Sequence, residues 1–207
     1  ISKMILASTS SIYGDSGEKK MVEDIDEKIN PPSIYASTKL SGETLAKTIL
    51  SSEDTNLIIT RFFTVYGPYG RPDMSILRFI HWIMENKEVR IFGDGEQRRS
   101  FTYIEDVIDL LIQVQNCDSD ETFNVGNNKT SSLNEVVEII ESYSHKKAQI
   151  VHEPRAFRDP DVVLPSLSKS KNILNWEPKT NIEDGIKATI EWYSSFQDKI
   201  KDFTYIS

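Results

Sequence analysis

Met4-Ile5-Leu6-Ala7-Ser8-Thr9-Ser10-Ser11-Ile12-Tyr13-Gly14 and, after a break containing Pro31-Pro32, Ser33-Ile34-Tyr35-Ala36-Ser37-Thr38-Lys39 decide how this chain is read. The first opens on a short apolar run, the pattern of a strand covered on both faces in a parallel sheet. In the second, Ser33 is placed to cap a helix that runs to about Leu50. On that helix Tyr35 and Lys39 stand four residues apart and share one face. An ammonium so placed draws a phenol's pKa down from about 10. A tyrosine tuned in this way can exchange a proton with a hydroxyl group near neutral pH. Tyr-x-x-x-Lys alone is a weak pattern; behind a strand ending in Thr9 it is specific.

Working outward, Leu57-Ile58-Ile59-Thr60-Arg61-Phe62-Phe63 reads as a second buried strand leading into Gly67-Pro68. A helix is expected over about Ser75 to Glu85, a short strand over Val89 to Phe92, and a turn at Asp94-Gly95. A further helix covers about Ile104 to Gln115, and Thr122 to Gly126 forms another strand. Ser132-Leu133-Asn134-Glu135 has the spacing of a capping box and opens a helix to about Tyr143. Gln149-Ile150-Val151 is a candidate strand. Helices over Lys169 to Leu174 and Ile182 to Phe196 follow, the last opened by Thr180-x-x-Glu183. Gly42 lowers the propensity of the Tyr35 helix and predicts close packing there. Strands alternating with helices give an α/β fold with parallel pairing.

The 207 residues suffice for one large domain or two small ones. A net charge of −8 argues against a general nucleic-acid binder. No apolar stretch approaches a membrane span, so no membrane partner is expected. A single cysteine, Cys117, excludes an internal disulfide framework and suits a reducing cytoplasm. His81, His145 and His152 lack ligand spacing, so no metal is expected; they are read as surface or helix-end residues. Trp82, Trp176 and Trp192 are read as packing residues. The chain starts at Ile1 and enters a strand almost at once, which reads as a start inside a larger fold.

Four motifs, in order and spacing, resemble the extended short-chain dehydrogenase/reductase family, in its nucleotide-sugar epimerase and dehydratase branch. They are Ser8-Thr9-Ser10-Ser11-Ile12-Tyr13-Gly14, Tyr35-x-x-x-Lys39, Arg61-Phe62-Phe63-Thr64-Val65-Tyr66-Gly67-Pro68, and Phe92-Gly93-Asp94-Gly95-Glu96-Gln97-Arg98-Arg99-Ser100-Phe101-Thr102-Tyr103. The resemblance runs from about Lys3 to Phe196 and implies a Rossmann-type parallel sheet with helices, joined to a smaller α/β substrate-binding domain. Residues 1–66 and 101–126 would form the remaining half of an NAD-binding domain, 67–100 and 127–198 a nucleotide-sugar-binding domain, and 199–207 a tail.

The resemblance also implies roles. Thr9 would hydrogen-bond the reacting sugar hydroxyl, Tyr35 would be the general base, and Lys39 would hold the nicotinamide ribose of NAD and tune Tyr35. Phe63 would lie near the nicotinamide and Thr64 near the sugar. Arg99 aligns with an arginine that grips the substrate diphosphate, where a guanidinium fork suits phosphate oxygens. The family usually has Asp after that arginine, whereas Ser100 stands here. A second diphosphate arginine is expected just before Asp159-Pro160; Arg155 and Arg158 both qualify. The bland alternatives are a Thr9 that only caps its own turn and an Arg71 that only meets a surface partner.

Dehydratases of this branch carry an Asp-Glu pair after the threonine, and UDP-glucuronate decarboxylases resemble them in keeping a glutamate. Ser10 and Ser11 occupy those positions, and neither is a general acid near neutral pH. The implied chemistry is therefore NAD-dependent 4-epimerisation of a UDP-sugar. Hydride leaves C4, the ketone turns over in the site, and hydride returns to its other face. Arg61 through Pro68, followed by Tyr69-Gly70-Arg71-Pro72-Asp73-Met74, is similar to the UDP-glucuronate 4-epimerase version of the motif, which makes Arg71 a candidate partner for a hexuronate carboxylate. The alternatives are a UDP-glucose or UDP-N-acetylhexosamine 4-epimerase, or a truncated, non-catalytic nucleotide-sugar-binding remnant.

The family's Gly-x-x-Gly-x-x-Gly loop, which cradles the dinucleotide pyrophosphate, has no counterpart here. The 207 residues alone are therefore expected to bind NAD weakly, to be inactive, and to leave an uncovered sheet edge. Members commonly dimerise through the tyrosine helix and the helix before it, so a homodimer is expected of a full-length protein.

Overall fold

The computed structural model describes residues 1–17, 19–24, 31–155 and 160–200. In chain order the elements are β1 (Lys3–Thr9), α1 (Ile34–Leu50), β2 (Asn56–Phe62), β3 (Thr64–Tyr66), α2 (Ser75–Met84), β4 (Glu88–Phe92), β5 (Arg98–Arg99), β6 (Phe101–Tyr103) and α3 (Ile104–Gln113). There follow β7 (Glu121–Val125), β8 (Ser131–Ser132), α4 (Leu133–Ser144), β9 (Gln149–Glu153), β10 (Val162–Val163), α5 (Ser168–Leu174) and α6 (Ile182–Ile200). Among the described residues no helix is long and apolar enough to cross a membrane.

The largest ladder is a parallel sheet in the order β1-β2-β7, as the apolar runs predict. Its register pairs Thr9 with Phe62 and Phe62 with Val125, so the three strands end level with one another. In an open parallel sheet that carboxyl edge is where ligands collect. Thr9, Phe63 and Gly126 are thereby delivered to one place.

Beyond this edge the chain builds shorter ladders. β3 runs parallel to β6, with Thr64 opposite Phe101. β5 lies between β10 and β8, and β4 pairs with β9. Pieces of two or three residues carry too little period to be read from sequence, and β3, β5, β6, β8 and β10 escape it for that reason.

Among the described residues three apolar clusters hold these layers together, the smallest packing Ala46 of α1 on Leu57 and Ile59 of β2. α2 buries Ile76, Leu77, Phe79, Ile80 and Ile83, an amphipathic helix face, against α4, α6, Val89, Ile91 and Phe101. The second cluster joins β2, β7, α3 and Trp176. There the indole Nε1 of Trp176 donates to the Asp106 carbonyl at 3.1 Å, so the largest apolar group carries no unpaired donor. The Asp106 carboxylate accepts from the amides of Lys179 and Thr180, which closes the loop before α6. Ser132 caps α4 with the expected reciprocal pairing to Glu135.

Three expectations need correction. β1 is not covered on both faces: Met4 and Ile5 are each 38% exposed. Successive strand residues point to opposite faces, so both faces of its first half are open; β2 is its one strand neighbour among the described residues. Gly42 shows no close packing, since a Cβ built there meets nothing within 4 Å. The cap of α6 is made one residue later than Thr180: Asn181 Oδ1 accepts from the Asp184 amide at 2.8 Å and its Nδ2 donates to the Asp184 carboxylate, while the Thr180 amide serves Asp106. His81 is a helix-end residue as expected, in the last turn of α2, and is buried there with its Nδ1 2.8 Å from the Tyr193 hydroxyl.

Candidate functional site

At the head of α1, Ser33 Oγ accepts from the Ala36 amide at 3.1 Å and fixes where the helix begins. Tyr35 and Lys39 follow one turn apart. The Lys39 ammonium donates to the Ala7 carbonyl in β1 at 3.0 Å and lies 6.0 Å from the centre of the Tyr35 ring. Tyr35 is about half exposed, at 52%. Thr9 is buried at the end of β1 and caps a single 3-10 turn over Ser10–Tyr13. Its Oγ1 accepts from the Ser11 amide and donates to Ser11 Oγ, both at 3.2 Å. The local capping role is thus present alongside the position at the strand end.

A buried polar network lies beneath these groups. Arg61, inside the apolar run of β2, forks onto Glu43, one turn past Lys39 on α1. Ser8, next to Thr9, donates to the same carboxylate at 2.5 Å. Arg61 also donates to the Tyr13 hydroxyl and to the Glu23 carbonyl, both at 3.0 Å, and Tyr13 in turn donates to Asn124 Oδ1 at 2.6 Å. Burial outweighs the nearby guanidinium at Tyr13 and pushes its phenol up to about 12, so it remains a neutral donor. The sequence reading assigned no part to Glu43, Arg61 or Tyr13. One signal was available: a charge inside a buried strand requires a partner.

Phe63 is buried at the carboxyl edge, its ring centre 6.4 Å from that of Tyr13. Its neighbour Thr64 lines a cavity of about 270 Å³ together with Ser75, Phe92, Gln97 and the arginines Arg78, Arg90, Arg99 and Arg155. Thr64 also lines a small cleft shared with Arg71. Arg71 is largely exposed and forks onto Asp73 at 3.1 and 2.5 Å, the surface pairing raised as its bland alternative. Hydrogen bonds from Arg71 to Asp73 raise its pKa first, then the charge of Asp73; Tyr35 is near enough to add to the shift.

Arg99 is held in β5, opposite Val163 and Ser131 in its two neighbours, and donates to the Arg98 carbonyl at 2.9 Å. Ser100, where the family has Asp, is fully buried; its hydroxyl donates to the Asn127 carbonyl and accepts from the Asn127 amide. It therefore locks a loop. Arg155 crosses Gly93, where a Cβ would sit 2.5 Å from its Nε, and meets Asp161 at 3.0 Å and Asp94 at 3.6 Å. Arg158 lies outside the described residues. Arg78 and Arg90 complete the cationic wall, and the sequence reading named neither.

Two regions stand out: a half-exposed phenol with its lysine at the head of α1, and a cavity lined by Thr64 and walled by four arginines. The first suits the nicotinamide-ribose end of a dinucleotide, since Lys39 has three N–H groups and the Ala7 carbonyl takes one. The described residues offer no glycine-rich strand-to-helix turn for its pyrophosphate. Gly14 follows the 3-10 turn, and Gly67 and Gly70 sit in the loop before α2.

Known proteins resemble this chain in sequence and fold. The chain is 42% identical over 203 residues to the UDP-glucuronate 4-epimerase of Thermodesulfobacterium geofontis (strain OPF15), covering 97% of this chain and 62% of that protein. The structure of UDP-glucuronic acid 4-epimerase from Bacillus cereus in complex with UDP-glucuronic acid and NAD superimposes with a TM-score of 0.85 at 33% identity. It covers 94% of this chain and 62% of that one. UDP-glucose 4-epimerase of Thermotoga maritima gives a TM-score of 0.88 at 26% identity, over 95% of this chain and 65% of that one. The chain thus spans a little over six tenths of the length of these relatives. The family model described as GDP-mannose 4,6 dehydratase matches residues 1–189, and the chain belongs to that epimerase–dehydratase family of the short-chain dehydrogenases/reductases.

Proposed function

We propose that this chain supplies the catalytic dyad and the nucleotide-sugar site of an NAD-dependent UDP-sugar 4-epimerase, with UDP-glucuronate the preferred substrate. The observation that carries the reading is the cavity walled by Arg78, Arg90, Arg99 and Arg155, which shares Thr64 with the cleft of Arg71, in a chain that also sets Tyr35 and Lys39 one turn apart with Lys39 bonded to the strand that ends in Thr9. Guanidinium groups suit a diphosphate, and the phenol suits a sugar hydroxyl.

In this reading Tyr35 takes the proton of the C4 hydroxyl and later returns it, while Thr9 orients that hydroxyl. Lys39, anchored on Ala7 and 6.0 Å from the centre of the Tyr35 ring, holds the nicotinamide ribose; Phe63 lies against the nicotinamide. NAD, when bound, supplies the hydride acceptor and donor. Ser10 and Ser11 cannot shuttle the further protons that expelling water requires. Arg99 and Arg155 or Arg158 meet the diphosphate. Residues 1–66 with 101–126, and 67–100 with 127–198, divide the cofactor and sugar roles. The exposed Ile34, Leu45 and Ile49 on α1 support a homodimer of the full-length protein.

Arg71 decides between substrates. The uronate reading has it exchange Asp73 for the hexuronate carboxylate. Its pairing with Asp73 favours the second reading, a UDP-glucose or UDP-N-acetylhexosamine epimerase, because the cation is already compensated. The test is turnover of UDP-glucuronate and UDP-glucose by the full-length protein and its Arg71→Ala variant. Loss of turnover confined to the uronate supports the first reading; equal loss, or none, removes it.

A further inference from the structure

The four arginines of the cavity are not equivalent. Arg155 is engaged by Asp161, Asp94 and Gln97. Arg90 lies between Glu88 and Glu153, at 3.8 and 3.7 Å. Arg99 is bonded to the Arg98 carbonyl. Arg78 is different. Its Nε is sealed from solvent with no acceptor, and among the described residues its guanidinium makes no ion pair. Asp73, the acid that acts on it from a distance, is already forked to Arg71.

An arginine stays charged at neutral pH even where burial opposes it. Burial does oppose Arg78, holding its guanidinium below the ordinary range. Leaving such a cation unmatched is unfavourable to the free chain. The plane of the group is nonetheless fixed, because it stacks 4.9 Å from the centre of the Trp82 ring one turn along α2. A cation that is held in place, lines a cavity and lacks a protein anion is arranged for an anion that arrives.

We propose that Arg78 binds a phosphate group of the nucleotide ligand in this cavity, as a member of the anion site in its own right. This rests on the nucleotide-sugar reading given above. It makes two predictions of opposite character. Replacing Arg78 weakens the ligand's phosphate contacts and removes a burden from the empty fold. An arginine kept only for packing on Trp82 would do the reverse, lowering stability and leaving affinity unchanged.

The experiment titrates uridine and UDP into the 207-residue chain and into its Arg78→Met variant by calorimetry, with thermal melts of both. Loss of a charge-assisted hydrogen bond is expected to weaken UDP by roughly tenfold or more. Uridine affinity should be unchanged, and the melting temperature without ligand should hold or rise. UDP binding equal to the parent's overturns the proposal, as does a parallel loss of uridine and UDP. If the parent chain binds neither, the nucleotide-sugar reading itself fails and the proposal falls with it. Should Arg78→Met not fold, Arg78→Lys retains the charge without the planar fork; UDP affinity equal to the parent's in that variant is likewise contrary.

Discussion

Arg61 and Glu43 form a doubly bonded ion pair, Nε to Oε1 at 3.0 Å and Nη2 to Oε2 at 2.8 Å, with side chains only 4% and 2% exposed. The pair ties α1 to β2, and through Ser8 to the end of β1, so the elements carrying Tyr35, Lys39, Thr9 and Phe63 share one buried anchor. Removing one member of such a pair strands the other charge. Glu43→Ala should therefore lower stability by about 3–5 kcal/mol. Glu43→Leu combined with Arg61→Met, which removes both charges, should recover much of it. Urea denaturation of the three proteins checks this; a single variant no worse than the double would contradict it.

Two buried carboxylates should respond to pH with opposite sign. At Glu43 burial raises the pKa, but hydrogen bonds from Arg61 and Ser8 and the Arg61 charge outweigh it, and the net shift is downward. Its stabilisation is complete above the unfolded value of about 4.3 and is lost as pH falls through the lower folded value. At Glu23 burial is the largest influence, and it prevails over the Asn124 amide; the net shift is upward. That group opposes folding increasingly as pH rises from its unfolded to its folded pKa. Glu23→Gln, which still accepts from Asn124, should melt at or above the parent temperature at pH 7, and the difference should vanish below about pH 4. Glu43→Gln should flatten the acid limb of the parent's profile. Melting curves between pH 2 and 7 report both.

For the proposed chemistry, Tyr35→Phe in the full-length protein should reduce turnover on the order of a hundred- to ten-thousandfold, the usual yield of general acid-base catalysis. UDP affinity should be untouched, because Tyr35 does not line the arginine cavity. Steady-state kinetics beside UDP titration separate the two effects. Undiminished turnover in this variant would falsify the role given to Tyr35.

The sequence revealed most where a residue's partner is near in the chain or its period is long. Ser33, Tyr35 and Lys39 declare a capped helix, and the apolar runs at Met4 and Leu57 declare parallel strands. It revealed least where the partner is distant. Arg61 finds Glu43 across 18 residues and Tyr13 across 48, and Asn124 reaches Met21 across 103. Arg78 and Arg90 resemble ordinary helix and strand cations until folding sets them on one cavity wall. The exposure of Met4 and Ile5 depends on which strands flank β1, and an apolar run does not specify that.

The glycines of the two long helices provide the sharpest packing contrast. Alanine in place of a mid-helix glycine gains about 1 kcal/mol where the new methyl is free. At Gly42 in α1 nothing lies within 4 Å of a Cβ, so Gly42→Ala should stabilise the chain by that amount. At Gly185 in α6 the Cβ would sit 2.0 Å from the Tyr66 hydroxyl oxygen and 3.0 Å from Tyr103 Cδ2. Tyr66 is buried, is flanked by Phe101 and Tyr103, and donates to the Ile182 carbonyl at 3.4 Å, so it has little room to retreat. Overpacking of that kind costs about 1–3 kcal/mol and exceeds the helical gain. Gly185→Ala should therefore lower the melting temperature while Gly42→Ala raises it. Since β3 carries both Tyr66 and Thr64, the Gly185 variant should also weaken UDP binding and the Gly42 variant should not. Thermal melts paired with UDP titration test the contrast, and a stabilised Gly185→Ala would show that Tyr66 is not held as tightly as these contacts require.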